Sequence, residues 1–571
     1  MNYSKDNPWI SEREITICCW ESHKVRGDYT NQYASILPNV FGYSAQQMRD
    51  YIKMFKEFGF TGVQLLDTCY SWCQAGSVQA FHERLITMAK AAHELNMKVT
   101  LWIWASSFHG HGWYDPDVKY AADEGYTAYT DPGVRKMFEK YYDIYAELAP
   151  YVDMLIGHFF DPGHLTDYND IISYMKLLES KFKAKNPDIR MAVDTWGAPP
   201  NYPEVLAESN LGNYLLLEQP SPDAWPGDSR AVFRRSLREN GFKVGMWGWY
   251  TTEYESDQLC SMYVNGHVLK ERYLRIKAEG DHELPVSYWS EMEAYHLLNT
   301  FSVYCASQLL INPYREPDEL LRESVDGIWS GESAYNMYYI LKTIEDIRSG
   351  DSWDTYWWTK PNFRWGTGDI RADLQRINEC VAMAELVVRQ RKASVKFTLP
   401  FEPWVYVKLI QPHLEQMKLL AEFKIEMERL EKLLAERANV DFLYRELDNI
   451  LTPIPDFNTW VGNFLQIERR EQYRIAIDFC ARAGIPVPRK ESRFADQRRY
   501  ALEKASVFQK GKDTPFLFSS AFISESYLAY SKYEAVAVMD SLYQDKLISY
   551  EDNGLYKLTN WRDYRFNFDL N

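Results

Sequence analysis

From residue 14 to residue 312 the chain alternates short apolar runs with longer runs of mixed apolar and polar residues. The short runs read as strands: Glu14–Trp20, Gly62–Asp67, Lys98–Trp104, Val152–Phe160, Ile189–Trp196, Asn213–Gln219, Lys243–Tyr250 and Pro285–Trp289. Most are continuously apolar, as expected when both faces of a strand are buried. The longer runs read as helices: Ser44–Phe58, Phe81–Leu95, Gly133–Leu148, Asp167–Lys183, the shorter Tyr202–Ser209, Arg230–Glu239, Asp257–Lys277 and Glu291–Leu310. Ser44 is an N-cap candidate and Gly59 a helix stop. Eight strand–helix units over about 300 residues predict an α/β protein of the (β/α)8 TIM-barrel class. A doubly wound sheet is the alternative, but it rarely needs eight such regular units.

After Asn312-Pro313 the pattern turns helical, with runs at Asp318–Trp329, Ser333–Ile347, Ile370–Gln390, Pro412–Arg437 and Arg469–Ala483. The Pro412–Arg437 run carries Leu or Met at 414, 417, 419, 420, 427, 430, 433 and 434. That spacing predicts bundle packing. In the tail, a helix-like Lys532–Gln544 precedes two short strand-like runs around Asp552-Asn553-Gly554, a hairpin signal. The chain therefore divides into a barrel over 1–312, an α-helical region over 313–500 and a small α/β module over 501–571. A helix followed by a hairpin can resemble a DNA-binding wing, but the acidic charge balance favours a packing module.

Composition narrows the function. The chain has 571 residues, 46% hydrophobic and 25% charged, with a formal net charge of −16 and no basic block. Nucleic acid is not an expected partner. No 18-residue apolar run predicts a membrane span. The N-terminus has no apolar signal core, and eight cysteines without zinc-site spacing fit a reduced, cytoplasmic protein. Tryptophan (19), tyrosine (41) and phenylalanine (28) are abundant enough to supply both a core and platforms for the apolar faces of sugars. The oligomeric state, including a homo-oligomer, is left open.

The stretch VDMLIGHFFDPGH, 152–164, concentrates the chemistry: an apolar strand ends in His158, Asp161, a Pro-Gly turn and His164. In parallel barrels reactive groups sit at the C-terminal ends of strands. The other strand ends offer Trp20 and Glu21; Asp67; Trp104 and His109; Asp194 and Trp196; Glu218; Trp249 and Glu253; and Trp289 and Glu291. A ring of carboxylates and indoles suits glycoside cleavage, in which one acid protonates the leaving oxygen and a second carboxylate attacks or activates water. Asp161, Glu218 and Glu253 are the catalytic candidates, and the remaining residues of the ring are candidate sugar contacts. Glu21 and Asp67 could instead be helix caps or solvated loop acids, Asp194 and Trp196 a structural turn, and Glu291 a helix-start acid. His109, His111, His158 and His164 could ligate a divalent ion, as in sugar isomerases, but they match no dedicated zinc motif. No metal and no cofactor are therefore expected.

Two stretches resemble bacterial α-glucuronidases and their barrel relatives. One is LLNTFSVYCASQLLINPYREPDELLRESVDGIWSGESAYNMYYILKTIEDI, where a last barrel helix leads into a helical C-terminal domain; the other is VGMWGWYTTEYESDQ. The resemblance implies an exo-acting, inverting glycoside hydrolase. It implies Asp161 as the acid, where the family has Glu, and Glu218 and Glu253 at the base positions. The N-terminal β-domain and the uronate-binding basic residues of that family are not identifiable. The adjacent Asp-Glu pair of barrel β-hexosaminidases is absent, because Pro162 follows Asp161. A non-catalytic sugar-binding protein on the same barrel is the remaining alternative.

Overall fold

The computed structural model describes residues 3–17, 43–67, 78–103, 132–158, 168–195, 202–208, 215–218, 230–248, 264–282, 286–293, 300–348, 367–394, 396–451, 466–486, 488, 498, 501, 502, 505, 506, 509, 515–518, 532–551 and 555–564. The first part runs β1 (Glu12–Ile17), α1 (Ala45–Phe58), β2 (Gly62–Asp67), α2 (Val78–Glu94), β3 (Lys98–Ile103), α3 (Pro132–Ala146), β4 (Met154–Gly157), α4 (Tyr168–Lys183), β5 (Arg190–Asp194), α5 (Tyr202–Glu208), β6 (Leu215–Glu218), α6 (Arg230–Glu239), β7 (Lys243–Gly248), α7 (Gly266–His282) and β8 (Val286–Glu293). All eight strands pair in parallel and in chain order. β8 returns to β1, from Glu12 opposite Tyr288 to Ile17 opposite Glu293, so the sheet closes.

Alternation along the strands separates two layers. Ile15, Ile17, Val63, Leu65, Val99, Leu101, Leu155, Val193 and Met246 join the core shared with the surrounding helices. The other parity faces the lumen, where Glu14, Thr16, Gln64, Thr100, Tyr288 and Ser290 are all buried. Barrel lumens are usually filled by Val, Ile and Leu. This one is polar on the side of β1, β2, β3 and β8. Thr16 bonds Gln64 across β1–β2, and the Tyr288 hydroxyl donates to Glu14 at 2.7 Å. Gly62 makes room for this acid, since a Cβ there would lie 2.9 Å from Glu14 Oε1.

Burial pushes the Glu14 carboxyl up to about 8, against the neighbouring Thr100 and Tyr288 hydroxyls, which pull it down. The folded value thus lies above the unfolded reference of 4.5. Between those two values the folded chain keeps a proton that the unfolded chain has lost. Stability therefore falls as pH rises through this window, by up to about 1.4 kcal/mol per pH unit, and levels off above about 8. Glu14→Gln removes the slope. Urea midpoints of the two proteins should agree near the unfolded value and diverge, with the variant more stable, towards the folded one. Parallel midpoints across the range would contradict the buried, protonated acid.

Local signals explain several boundaries. Ser44 and Gln47 form a capping box at the start of α1. Gly59 ends that helix at φ 110°, a conformation that glycine adopts without strain. The expected helix Glu291–Leu310 is corrected: β8 continues to Glu293, and α8 spans Thr300–Ile311. All twelve residues of α8 are buried, between the barrel and the helices that follow. Ser307 Oγ and Gln308 Nε2 both donate to the Phe58 carbonyl, tying α8 to the end of α1.

The following helices are α9 (Pro317–Ile328), α10 (Gly331–Arg348), α11 (Ile370–Gln390), α12 (Pro403–Ala435), α13 (Val440–Leu451) and α14 (Gln466–Ala483). One buried cluster runs from Ile10 to Ala421, so α8 to α11 and the first half of α12 share the barrel's core across residue 312. The expected Pro412–Arg437 helix starts nine residues earlier, with Pro403 in its first turn and Pro412 within it. Leu420, Phe423, Met427 and Leu430 of α12 pack with α13 and α14 in a second cluster. A third unites Ala501, Ala505 and Phe518 with α15 (Lys532–Gln544) and the hairpin β9 (Ile548–Tyr550) and β10 (Tyr556–Leu558). Among the described residues no helix is long and apolar enough to cross a membrane.

Candidate active site

The closed parallel sheet brings its strand ends to one mouth. β2 ends at Asp67, β5 at Asp194 and β6 at Glu218. Register distinguishes the three. Asp194 pairs with Leu217, which pairs with Gly245, which pairs with Tyr288, so it stands in a lumen-side row. Asp67 pairs with Ile103 and Glu218 with Met246, two members of the helix-side core, so both acids stand in helix-side rows.

An aromatic layer closes the lumen beneath the mouth. His158 follows β4 directly, and its backbone N–H donates to the Ile103 carbonyl at 2.9 Å. Its buried ring lies 4.8 Å from Trp102 of β3 and 5.9 Å from Trp247 of β7, and those two indoles are 5.4 Å apart. The sequence points to His158 but to Trp104 and Trp249 rather than to these two tryptophans, which lie two residues earlier on each strand. The missed signal is parity. Trp102 shares its face of β3 with Thr100, and Trp247 its face of β7 with Gly245.

Trp289 and Glu291, expected at the mouth as sugar contacts, are corrected. Both are 0% exposed. Trp289 packs 4.9 Å from Tyr273 of α7 and 5.9 Å from Trp9, in the layer between barrel and helices. Glu291 lies within β8 and is not a helix-start acid. Its Oε2 accepts from the Tyr273 hydroxyl at 2.7 Å and from the Trp289 indole N–H at 2.9 Å. The reason is again parity: Trp289 pairs with Met246 and Glu291 with Gly248, on the helix side. Gly248 is required there, because a Cβ would lie 2.5 Å from Glu291 Oε2. Trp20, Glu21, Trp104, His109, Asp161, His164, Trp196, Trp249 and Glu253 lie outside the described residues.

Among the described residues, one group of histidine and carboxylates comes close enough to share a cation: His267 at the start of α7, Asp318 of α9 and Glu345 of α10. It contains none of the histidines picked out in the sequence. The Lys342 ammonium already holds this position, 3.1 Å from Asp318, 3.3 Å from Glu345 and 3.0 Å from Asp346. Burial raises the Asp318 carboxyl, but hydrogen bonds from His267 and Lys342 outweigh it and hold the group below the usual range. The cluster is an ion-pair network with its own internal cation, joining the start of α7 to α9 and α10.

No family model and no curated protein matches the chain. Solved structures give remote likenesses. The structure of CpGH84D is 10% identical, with a TM-score of 0.41 and coverage of 77% of this chain and 73% of that one. A family 89 glycoside hydrolase from Clostridium perfringens, in complex with 2-acetamido-1,2-dideoxynojirimycin, is 12% identical, with a TM-score of 0.41 and coverage of 93% and 69%. The GH20 catalytic modules of the pneumococcal exo-β-D-N-acetylglucosaminidase StrH give 11% identity, a TM-score of 0.34 and coverage of 66% and 98%. At such values the functional reading rests on the chain's own residues.

Proposed function

We propose that the chain is a glycoside hydrolase working at the open end of its barrel, on a small oligosaccharide or glycoside taken from one end. The observation that carries this reading is a closed parallel sheet whose strands end in acids at one mouth, with Asp194 closing β5 in a lumen-side row. Sugars need acids for their hydroxyls and glycosidic oxygen and an apolar surface for their ring faces, and Trp104, Trp196 and Trp249, which follow the strands, are the proposed platforms. Asp161, following β4, is the proposed acid, and Glu253, following β7, the proposed group that activates water. Glu218 is the proposed third catalytic carboxylate, supporting one of these from the rim. Asp194, in its lumen-side row, holds sugar hydroxyls.

The proposed reaction inverts the anomeric centre, which needs the two carboxyls ~6.5–9.5 Å apart with water between them. A panel of nitrophenyl glycosides of both anomers, uronides included, tests the activity. Turnover of one anomeric series without added metal is expected. Activity that appears only with a stoichiometric divalent ion, on a free sugar, would favour an isomerase. Binding of a sugar without turnover would favour a lectin-like role.

A further inference from the structure

The polar side of the lumen does nothing in the proposed reaction, because the layer of Trp102, His158 and Trp247 lies between it and the mouth. It is also incompletely bonded. The Gln64 amide nitrogen is fully buried and has no hydrogen-bond partner among the described residues. The Thr100 and Ser290 hydroxyls stand beside Glu14 and Tyr288, yet neither makes a hydrogen bond of good geometry. These atoms come from β2, β3 and β8, all in lumen-side rows. Register sets Glu14 opposite Ser290, Thr16 opposite Gln64 and Gln64 opposite Thr100. Buried polar atoms left unbonded are costly, and a pocket lined by several of them is where bound water resides.

We propose that this space is a hydrated proton-exchange site, in which water bound to Gln64, Thr100 and Ser290 connects the Glu14 carboxyl with solvent at the N-terminal end of the barrel. Glu12, two residues before Glu14, pairs there with Arg190 of β5 across the barrel at 2.8 Å, and both are partly exposed. When Glu14 ionises, its O–H bond breaks. The proton passes to bound water and out past Glu12 and Arg190. The carboxylate left behind accepts from the Tyr288 hydroxyl and the Gln64 amide. The charged and titratable groups that act on Glu14 are Glu12 on its own strand, Arg190 on β5 and Tyr288 on β8, and burial raises its pKa into a range where this exchange happens near neutral pH.

Infrared difference spectroscopy of the full chain tests the proposal without reference to activity. The band of a protonated buried carboxyl, identified by its loss in Glu14→Gln, should be present two units below the Glu14 midpoint and absent two units above it. On transfer to heavy water it should shift well before the slowest backbone amides exchange. Replacing Thr100 with Val and Ser290 with Ala together should slow that shift about tenfold or more, as expected for the loss of hydrogen bonds to the bound water. A carboxyl band that shifts only as fast as the slowest amides would overturn the proposal, since the proton would then leave only when the whole fold opens. So would an unchanged rate in the double variant. If Glu14→Gln does not fold, the band is identified instead by its shift in frequency in Glu14→Asp, and its exchange rate in the wild-type chain decides between these outcomes.

Discussion

Asp161→Asn is expected to lose ~10²–10⁴-fold in kcat/KM on glycosides with alkyl or sugar leaving groups, yet to keep much of its activity on a nitrophenyl glycoside. A general acid matters most when the departing oxygen is strongly basic, and an activated phenol leaves without it. The assignment rests on the stretch IGHFFDPGH, where β4 ends in Gly157 and the first acid after the strand is Asp161. Glu253→Gln should lose both substrates, because water must be activated whatever group leaves. Glu218→Gln will follow one pattern or the other, and so reveals which partner it supports. Equal losses on both substrates for Asp161→Asn would remove it from the acid role and pass that role to Glu218 or Asp194. Steady-state kinetics on the two substrate classes give the answer directly.

Glu291→Ala is expected to damage the fold rather than the chemistry. The substitution removes the acceptor of two buried donors, the Tyr273 hydroxyl and the Trp289 indole N–H. Each orphaned donor costs about 1–3 kcal/mol, and the space left beside Gly248 adds a cavity penalty. A total of about 3–5 kcal/mol is a large share of a typical domain's stability. Urea unfolding, followed by tryptophan fluorescence, should show it. Glu291→Gln keeps an oxygen in place and should recover much of the loss while turning over substrate normally. If Glu291→Ala instead unfolds at the wild-type midpoint and is inactive, the acid belongs to the reaction and its burial against α7 has been misjudged.

Much of the barrel was legible because the evidence for it is repetitive. Eight apolar runs at regular spacing each predict a strand, and the expected Gly62–Asp67 coincides with β2 to the residue. Boundaries drifted at strand starts, as in the expected Val152–Phe160, where Val152 and Asp153 precede β4 and the strand begins at Met154. The site was harder to read, for a physical reason. A strand buried on both faces shows no polar alternation, so nothing in YWSEME says which of Trp289 and Ser290 faces the lumen. Pairing decides it, and Met246 opposite Trp289 sends that indole to the helices. The same ambiguity hid Trp102 and Trp247. It also hid Glu14, the first residue of the expected strand Glu14–Trp20, which is a lumen acid bonded to Tyr288, 274 residues away in the chain.

The central claim is that carboxylates at the barrel mouth cleave a glycosidic bond with inversion. Proton NMR of the reaction as it begins, on whichever nitrophenyl glycoside is turned over, tests this most directly. The first reducing sugar to appear should carry its anomeric proton in the configuration opposite to that of the substrate, before mutarotation mixes the two forms. A product of the same configuration would contradict inversion and make Glu253 a nucleophile. No reducing sugar from any glycoside of either anomer would contradict the hydrolase itself.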